Sequence, residues 1–441
     1  MVPLRPSLFH NTPGRVALVL AGGAARGAYE VGVVQHIVEE LPKDLGAEVP
    51  LDILCGTSVG ALNGCALAAF ADTPRSRARR LLDEWRAVRM ADVVRLRPLH
   101  LARFVRSIVA PTPLASEVSE DRWGGLIEPS GMDRILRTAI PFPRITQNLE
   151  SGLVSAVTVS ATHISTGNTV VFVARKSHGL PRWSSDPKVV PRKVEALTLQ
   201  HALASAAIPL VFPSVRIDGE FYCDGGLRQN VPLSPARHLG ANGVIVVSPR
   251  YVHEIQKIPD RPSPKAKMPS PLFLIGKALN ALLLDRVEND IERLQRINQI
   301  LLAGQTHYGP EFMPHLNETM GFAGKNEGLR PLPAILVRAS ENIGKMAVDF
   351  VCSPGFANRA SGPLARLAKI VCELDAEEES DLLSYLLFDG AFADQLIDLG
   401  RRDARACHND LVRFFTQLPH DLGLPKRPQG KKKHAEPNPD T

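Results

Sequence analysis

Gly56-Thr57-Ser58-Val59-Gly60 narrows the folds open to this chain more than any other passage. It sits directly after the apolar run Leu51–Cys55 and opens a helical pattern from about Ser58 to Phe70. Glycines on both sides of the serine permit a turn sharper than a Cβ would allow, so the hydroxyl stands exposed above a sheet. A helix starting there also turns its unpaired N–H groups and positive dipole end toward developing negative charge. The rival reading of Ser58 is a serine that merely caps the helix.

A second passage of the same kind precedes it. Arg15–Leu20 (RVALVL) reads as a buried strand, Gly22-Gly23-Ala24-Ala25-Arg26-Gly27 as a glycine-rich turn, and about Arg26 to Glu40 as a helix. Further strand candidates are Leu153–Ser160, Thr169–Ala174, Gly243–Val247 and the shorter Val211–Ile217. Short β-branched runs alternating with helical patterns from Arg15 to Pro249 predict parallel βαβ units. Between Pro74 and Arg137 the pattern is mostly helical and polar enough for an insertion or a cap over the sheet.

Past Pro249 the character changes. Pro259–Pro271 (PDRPSPKAKMPSP) reads as an extended linker. Leu274–Leu302, Ala365–Leu374, Ser380–Leu387 and Phe392–Gln417 read as helical, with one strand candidate at Ala334–Arg338. The expected organisation is a first domain over 14–240, a mainly helical region over 241–424 with no chemistry of its own, and a basic, disordered tail over 425–441. In that tail Lys426, Arg427, Lys431, Lys432 and Lys433 stand against Glu436 and Asp440, a net +3 of the chain's +6. Such a tail suits an anionic surface but reads first as a solvated end.

Composition excludes other classes. With 44% hydrophobic and 22% charged residues, the chain is neither disordered nor fibrous. Its six cysteines show no C-x-x-C spacing, so zinc ligation and a disulfide framework are not expected and reduced, buried thiols are. No stretch approaches the ~18 uninterrupted apolar residues of a spanning helix. Val16–Ala21 is too short for a secretion signal, which places the expected location in the cytoplasm.

Two further points bear on chemistry. The turn Gly22–Gly27 offers backbone N–H groups to an anion, either the oxyanion of a tetrahedral intermediate or a phosphate. A dinucleotide turn is the rival. Against it, Ala24 stands where the second glycine belongs, and the acidic residue ~20 positions on would be Asp44, which ends no second strand. Asp224-Gly225-Gly226 closes a short strand-like run, and by itself Asp224 reads as a turn former.

Joined, these blocks resemble the patatin-like phospholipase family. Its signature is a G-G-G-x-R-G turn, then G-x-S-x-G, an alanine–serine–proline block, and D-G-G or D-G-A. Here they read Gly22–Gly27, Gly56–Gly60, Ala204-Ser205-Ala206-Ala207-Ile208-Pro209 (continuing through Phe212-Pro213) and Asp224–Gly226, the last running into Asn230-Val231-Pro232-Leu233. The resemblance covers roughly residues 14–240 and departs at Ala24, where the family usually has a third glycine. An alanine there is unstrained if its φ is negative and strained if the turn needs φ > 0.

The resemblance implies a three-layer α/β/α fold with a mostly parallel central sheet, extended by a mainly helical C-terminal region. It implies a Ser–Asp dyad: Ser58 as nucleophile through an acyl-enzyme, Asp224 as general base, flanked by Gly225 and Gly226. Gly56, Thr57, Val59 and Gly60 would form the nucleophile elbow. Gly22, Gly23 and Ala24, with Arg26 and Gly27, would form the oxyanion turn, Arg26 being suited to an oxyanion or a phosphate head group. A solvated Asp, with a pKa near ~3.9, is a poor base at neutral pH, so Asp224 must be at least partly buried. A Ser–His–Asp triad would draw on His238, which instead reads as a cap on a helix end; His163 and His201 are the other histidines near the motifs.

The implied substrate is a phospholipid or other lipid acyl ester, with no metal, no cofactor and no nucleic acid. Met90–Val109, which interleaves Arg95, Arg97, Arg103 and Arg106 with apolar residues, suits peripheral membrane contact or, more simply, a helix covering the sheet. The competing expectation is a non-catalytic relative of the same fold that binds lipid or a partner.

Overall fold

The computed structural model describes residues 15–93, 121–177, 179–180, 183, 188–228, 231–252, 286–322, 328–357 and 381–418. The expected linker 259–271, the helical stretch 365–374, the tail 425–441, residues 94–109 of the basic-apolar segment, the start of the 274–302 helix and Asn230 lie outside the described residues.

Among the described residues ten strands form one sheet, in the order β10-β9-β1-β2-β4-β8-β7-β3, with β5 and β6 continuing from β4. They are β1 (Val16–Leu20), β2 (Ile53–Thr57), β3 (Arg122–Trp123), β4 (Ala156–His163), β5 (Thr169–Arg175), β6 (Val189–Lys193), β7 (Ser214–Ile217), β8 (Glu220–Asp224), β9 (Gly243–Ser248) and β10 (Ala334–Arg338). The run β10-β9-β1-β2-β4 is parallel throughout. Beyond it the sheet is mixed, because β4 pairs antiparallel with both β5 and β8, and β7 pairs antiparallel with β8 and β3.

Along β1, alternate residues feed two separate cores. Val16, Leu18 and Leu20 belong to one, Ala17 and Val19 to the other, and all five are fully buried. A strand buried on both faces reads as a continuous apolar run, which is why RVALVL carries no polar alternation. The first core is covered by α1 (Gly27–Glu39) and α2 (Val59–Ala69). The second is covered by α3 (Leu233–His238) and α4 (Arg286–Tyr308), through Leu233, Ala236 and Ile291. The result is an α/β/α sandwich. No helix among the described residues is long and apolar enough to cross a membrane.

Described strands beyond residue 240 join this sandwich, and the described C-terminal region around them is mainly helical. β9 pairs with β1, and β10 extends the same sheet beyond β9. The later helices are α5 (Ile343–Cys352), α6 (Asp381–Leu386), α7 (Gly390–Ala406) and α8 (His408–Gln417). Of these, α7 lies directly along α1, and the two backbones meet at glycines. A Cβ on Gly32 would fall 1.9 Å from the Ile397 carbonyl oxygen, and one on Gly400 would fall 2.1 Å from that of Tyr29. Both helices therefore depend on each other's small residues, and period-3.6 patterning in either one does not disclose its partner.

Cys55, Cys65 and Cys223 are buried, and Cys407 half-buried, as free thiols. Burial pushes the first three up to about 12. Cys352, at the end of α5, departs from the expectation of reduced thiols and is disulfide-bonded. Spacing along the chain carries no signal for such a bond, since the fold alone decides which cysteines meet.

Candidate active site

β4 explains how two residues 166 positions apart come together. Along one edge β4 pairs with β5 over residues 156–162. On its other edge β2 pairs over 156–160 and β8 over 161–163. The two strands therefore abut end to end, with Thr57 opposite Ser160 and Asp224 opposite Ala161. β2 runs parallel to β4 and β8 antiparallel, so both arrive at this junction with their C-terminal ends. The residue that leaves β2 is Ser58, and the residue that ends β8 is Asp224.

Ser58 Oγ donates to Asp224 Oδ2 at 2.6 Å. Ser58 has φ 54° and ψ −129°, a left-handed value that a residue with a Cβ rarely adopts and that a sharp strand-to-helix turn imposes. Although Ser58 occupies the N-cap position of α2, its hydroxyl makes no capping bond. The turn closes so tightly that a Cβ on Gly56 would lie 2.3 Å from the Gly60 carbonyl oxygen. Ser58 N–H donates to Ser205 Oγ at 2.9 Å, and Ser205 Oγ donates to the Ser160 carbonyl at 2.6 Å. Ser205 thus braces the elbow from the alanine–serine–proline block, a role that the motif alone did not assign.

Asp224 is fully buried. Its Oδ1 accepts from Gly226 N–H at 2.7 Å, so one carboxylate oxygen forms the turn expected of it while the other faces Ser58. Burial raises its pKa to about 7, against the opposing pull of the hydrogen bonds from Ser58 and Gly226. A carboxylate held this way is a far better base near neutrality than a solvated one. Gly225 lets the turn pass against β4, since a Cβ there would lie 2.2 Å from the Ser160 carbonyl oxygen.

The glycine-rich turn lies beside the elbow. A Cβ on Gly60 would meet the Leu20 and Ala21 carbonyl oxygens at 2.3 and 2.7 Å, and Gly27 sits directly against Val59. Gly23 is extended at φ 171°, and the short 3-10 turn Ala24–Arg26 follows it. Ala24 has φ 48°, so of the two cases left open for that residue the strained one holds. Arg26 does not join Ser58. Its guanidinium is buried in an ion pair with Asp381 of α6 at 2.9 Å, its side chain 4% exposed.

Among the described residues, no histidine takes a place in this constellation. His238 stacks on Trp183 with ring centroids 5.2 Å apart. His201 forms a capping box with Thr198 at the start of the helix Leu199–Ser205. His163 bonds to Thr166 and Glu220 at the end of β4. Among the described residues no group of three or more His, Cys, Asp or Glu side chains is placed to hold a metal ion.

Ser58 and Ala24 open onto a narrow pocket of about 80 Å3. Its wall is almost wholly apolar, built from Val59 and Leu62 of α2, Leu81 and Trp85 of the helix Arg77–Ala87, Met132 and Leu136 of the helix Ser130–Ala139, Ile208, Phe212 and Phe388. The segment between 74 and 137, expected to cap the sheet, thus supplies much of this wall. Phe388, beyond α6, stacks on Trp85 at 6.4 Å and 10°. Its place in the pocket carried no signal in the sequence.

Residues 18–237 match the family model described as patatin-like phospholipase. Patatin-like phospholipase domain-containing protein 7 of Mus musculus is 26% identical over 244 residues, 54% of this chain and 14% of that protein. Patatin-like phospholipase domain-containing protein 6 of Homo sapiens is 25% identical over 242 residues, 54% of this chain and 13% of that one. Lysophospholipase nte1 of Aspergillus terreus is 47% identical over 57 residues, 13% of this chain and 3% of that one. The chain therefore spans only a small part of the length of these relatives. Among solved structures, VipD from Legionella pneumophila is 11% identical and aligns over 87% of this chain and 92% of that one, with a TM-score of 0.25.

Proposed function

The chain belongs to the patatin-like phospholipase family, and from that premise we propose that it is a serine lipid acyl hydrolase working through a Ser58–Asp224 dyad. The observation that carries this reading is the 2.6 Å bond between Ser58 and a buried carboxylate, placed at an apolar pocket. The pocket takes the acyl chain, which brings the ester carbonyl to Ser58. Ser58 Oγ attacks the carbonyl carbon while its proton passes to Asp224 Oδ2. The turn Gly22–Ala24 donates N–H groups to the oxyanion. Collapse of the intermediate breaks the ester bond, and the departing alcohol takes the proton from Asp224. Water then attacks the acyl-enzyme, gives its proton to Asp224, and Ser58 recovers it as the fatty acid leaves.

A lysophospholipid, with one chain and one ester, is the simplest substrate for such a site, and a relative named as a lysophospholipase supports that class. The test is fluorophosphonate labelling with peptide mapping, alongside hydrolysis of lysophosphatidylcholine and of medium-chain p-nitrophenyl esters. Labelling is expected at Ser58, with labelling and hydrolysis lost in Ser58→Ala and reduced at least about 10³-fold in Asp224→Asn. A folded wild-type protein that neither labels nor cleaves, in solution or on anionic vesicles, would leave the non-catalytic binding reading in its place.

A further inference from the structure

We propose that Asp381 and Ser384 are positioning residues for the reaction: through Arg26 they hold the glycine-rich turn in the shape that receives the oxyanion. The inference rests on the acyl-hydrolase reading above and extends it to a part of the chain outside the matched residues 18–237.

Arg26 ends the 3-10 turn that begins at Ala24, and its own N–H donates back to the Gly23 carbonyl at 3.0 Å. Its side chain is held by residues of α6. Nε donates to Ser384 Oγ at 2.8 Å. Nη2 donates to Asp381 Oδ1 at 2.9 Å and reaches the Asp381 carbonyl at 3.5 Å. The guanidinium also lies 4.2 Å from the centroid of the Tyr385 ring. Ser384 Oγ in turn donates to the Asp381 carbonyl at 2.6 Å, so the acceptor set is itself fixed. On the other side of the turn, Gly23 is backed by Pro249, whose Cγ would lie 2.8 Å from a Cβ at that position.

A buried ion pair is weak evidence for stability, because desolvation offsets most of the attraction; what it provides is a fixed geometry. That geometry is needed here. Ala24 keeps φ 48°, and such a conformation persists only where its surroundings over-determine it. An oxyanion donor is effective only if already aimed when charge develops, and a misplacement near 1 Å can cost about 10²-fold in rate. The Arg26 clamp, anchored 355 and 358 residues along the chain, is the contact that over-determines the turn.

The experiment uses the full chain with Ser384→Ala, Asp381→Asn and Arg26→Lys, assayed on p-nitrophenyl esters well below each variant's melting temperature. The expected result is a kcat lowered about 10- to 10²-fold. KM should stay within about twofold, the pH–rate midpoint near 7 should not move, and amide exchange over residues 22–27 should quicken. A merely structural role would lower the melting temperature without that split. Should Asp381→Asn fail to fold, Ser384→Ala keeps the ion pair and carries the test. Wild-type kcat in folded Ser384→Ala and Arg26→Lys overturns the inference alone. Absence of ester cleavage and of Ser58 labelling in the wild type overturns the acyl-hydrolase reading first and this one with it.

Discussion

At the scale of single residues, the site concentrates conformations that cost energy. Ser58 and Ala24 both hold positive φ, and Asp224 is buried with its carboxyl raised to about 7. The sign of the last effect separates stability from activity. The folded state keeps a proton on Asp224 that the unfolded chain releases near pH 4, so stability from this group falls as pH rises from about 4 to about 7. In the proposed reaction Asp224 is competent as a base only once that proton is gone, so kcat/KM should rise with pH to a plateau above about 7. Asp224→Asn should therefore be inactive yet melt higher than wild type at pH 8, as thermal denaturation at pH 5 and pH 8 will show. Ala24→Gly removes the left-handed strain of roughly 1–2 kcal/mol, less the extra freedom that glycine gives the unfolded chain. Urea titration should find it between neutral and about 1 kcal/mol more stable. A drop in stability would mean that this φ carries no strain.

At the scale of elements, the contact between Ser58 and Asp224 is a consequence of strand ends. β2 and β8 share one edge of β4 and meet there, which no local pattern in either strand predicts. The pocket is likewise assembled from separate helices, and its stacked pair, Trp85 and Phe388, joins the helix Arg77–Ala87 to the stretch beyond α6. If this pair limits the depth open to an acyl chain, each methylene beyond the limit should lower kcat/KM about tenfold or more. Phe388→Leu, which opens the wall while staying apolar, should move that fall-off to longer chains in a p-nitrophenyl ester series. An unchanged chain-length profile would place the limit elsewhere. Ser205→Ala should lower turnover and stability together, by about 1–3 kcal/mol for the latter, because the buried Ser58 N–H loses its acceptor.

At the scale of the molecule, the two halves of the chain are held by polar contacts as well as by the Gly32–Gly400 crossing. Tyr29 donates to Asp403 at 3.0 Å, and Asp403 also accepts from the Ser340 N–H. His36 of α1 meets His408 of α8 at 3.0 Å, and His408 reaches Asp44 at 2.9 Å. His36 is buried, and that burial, with His408 beside it, lowers its pKa to about 4. Below pH 6.5 the unfolded chain binds a proton there that the folded chain refuses. Stability from His36 is therefore full above about pH 6.5 and is lost as pH falls toward 4. His36→Gln should flatten the fall in melting temperature between pH 6.5 and 4.5, and an unaltered slope would assign that acid sensitivity to other groups.

The local machinery can be read from the sequence alone: the two strand–glycine–helix turns, the aspartate with its glycines, the α/β class, and the serine between glycines, although Ser58 is buried at the pocket rather than exposed above the sheet. These are legible because each depends on neighbours within a few residues, through steric demands that only glycine meets or through apolar runs buried on both faces of a sheet. Even so, β2 begins at Ile53, two residues beyond the apolar run's start at Leu51, and the Asp52 carboxylate accepts from the Val16 N–H. What depends on contacts between distant segments came from the fold. It sent Arg26 to α6 rather than to the pocket, placed Phe388 in the pocket wall, and joined β9 and β10 to the same sheet across residue 240. A helical period shows that one face of α1 or α7 is apolar, but not which helix covers it, and a guanidinium shows no preference among carboxylates until the fold brings one within 3 Å.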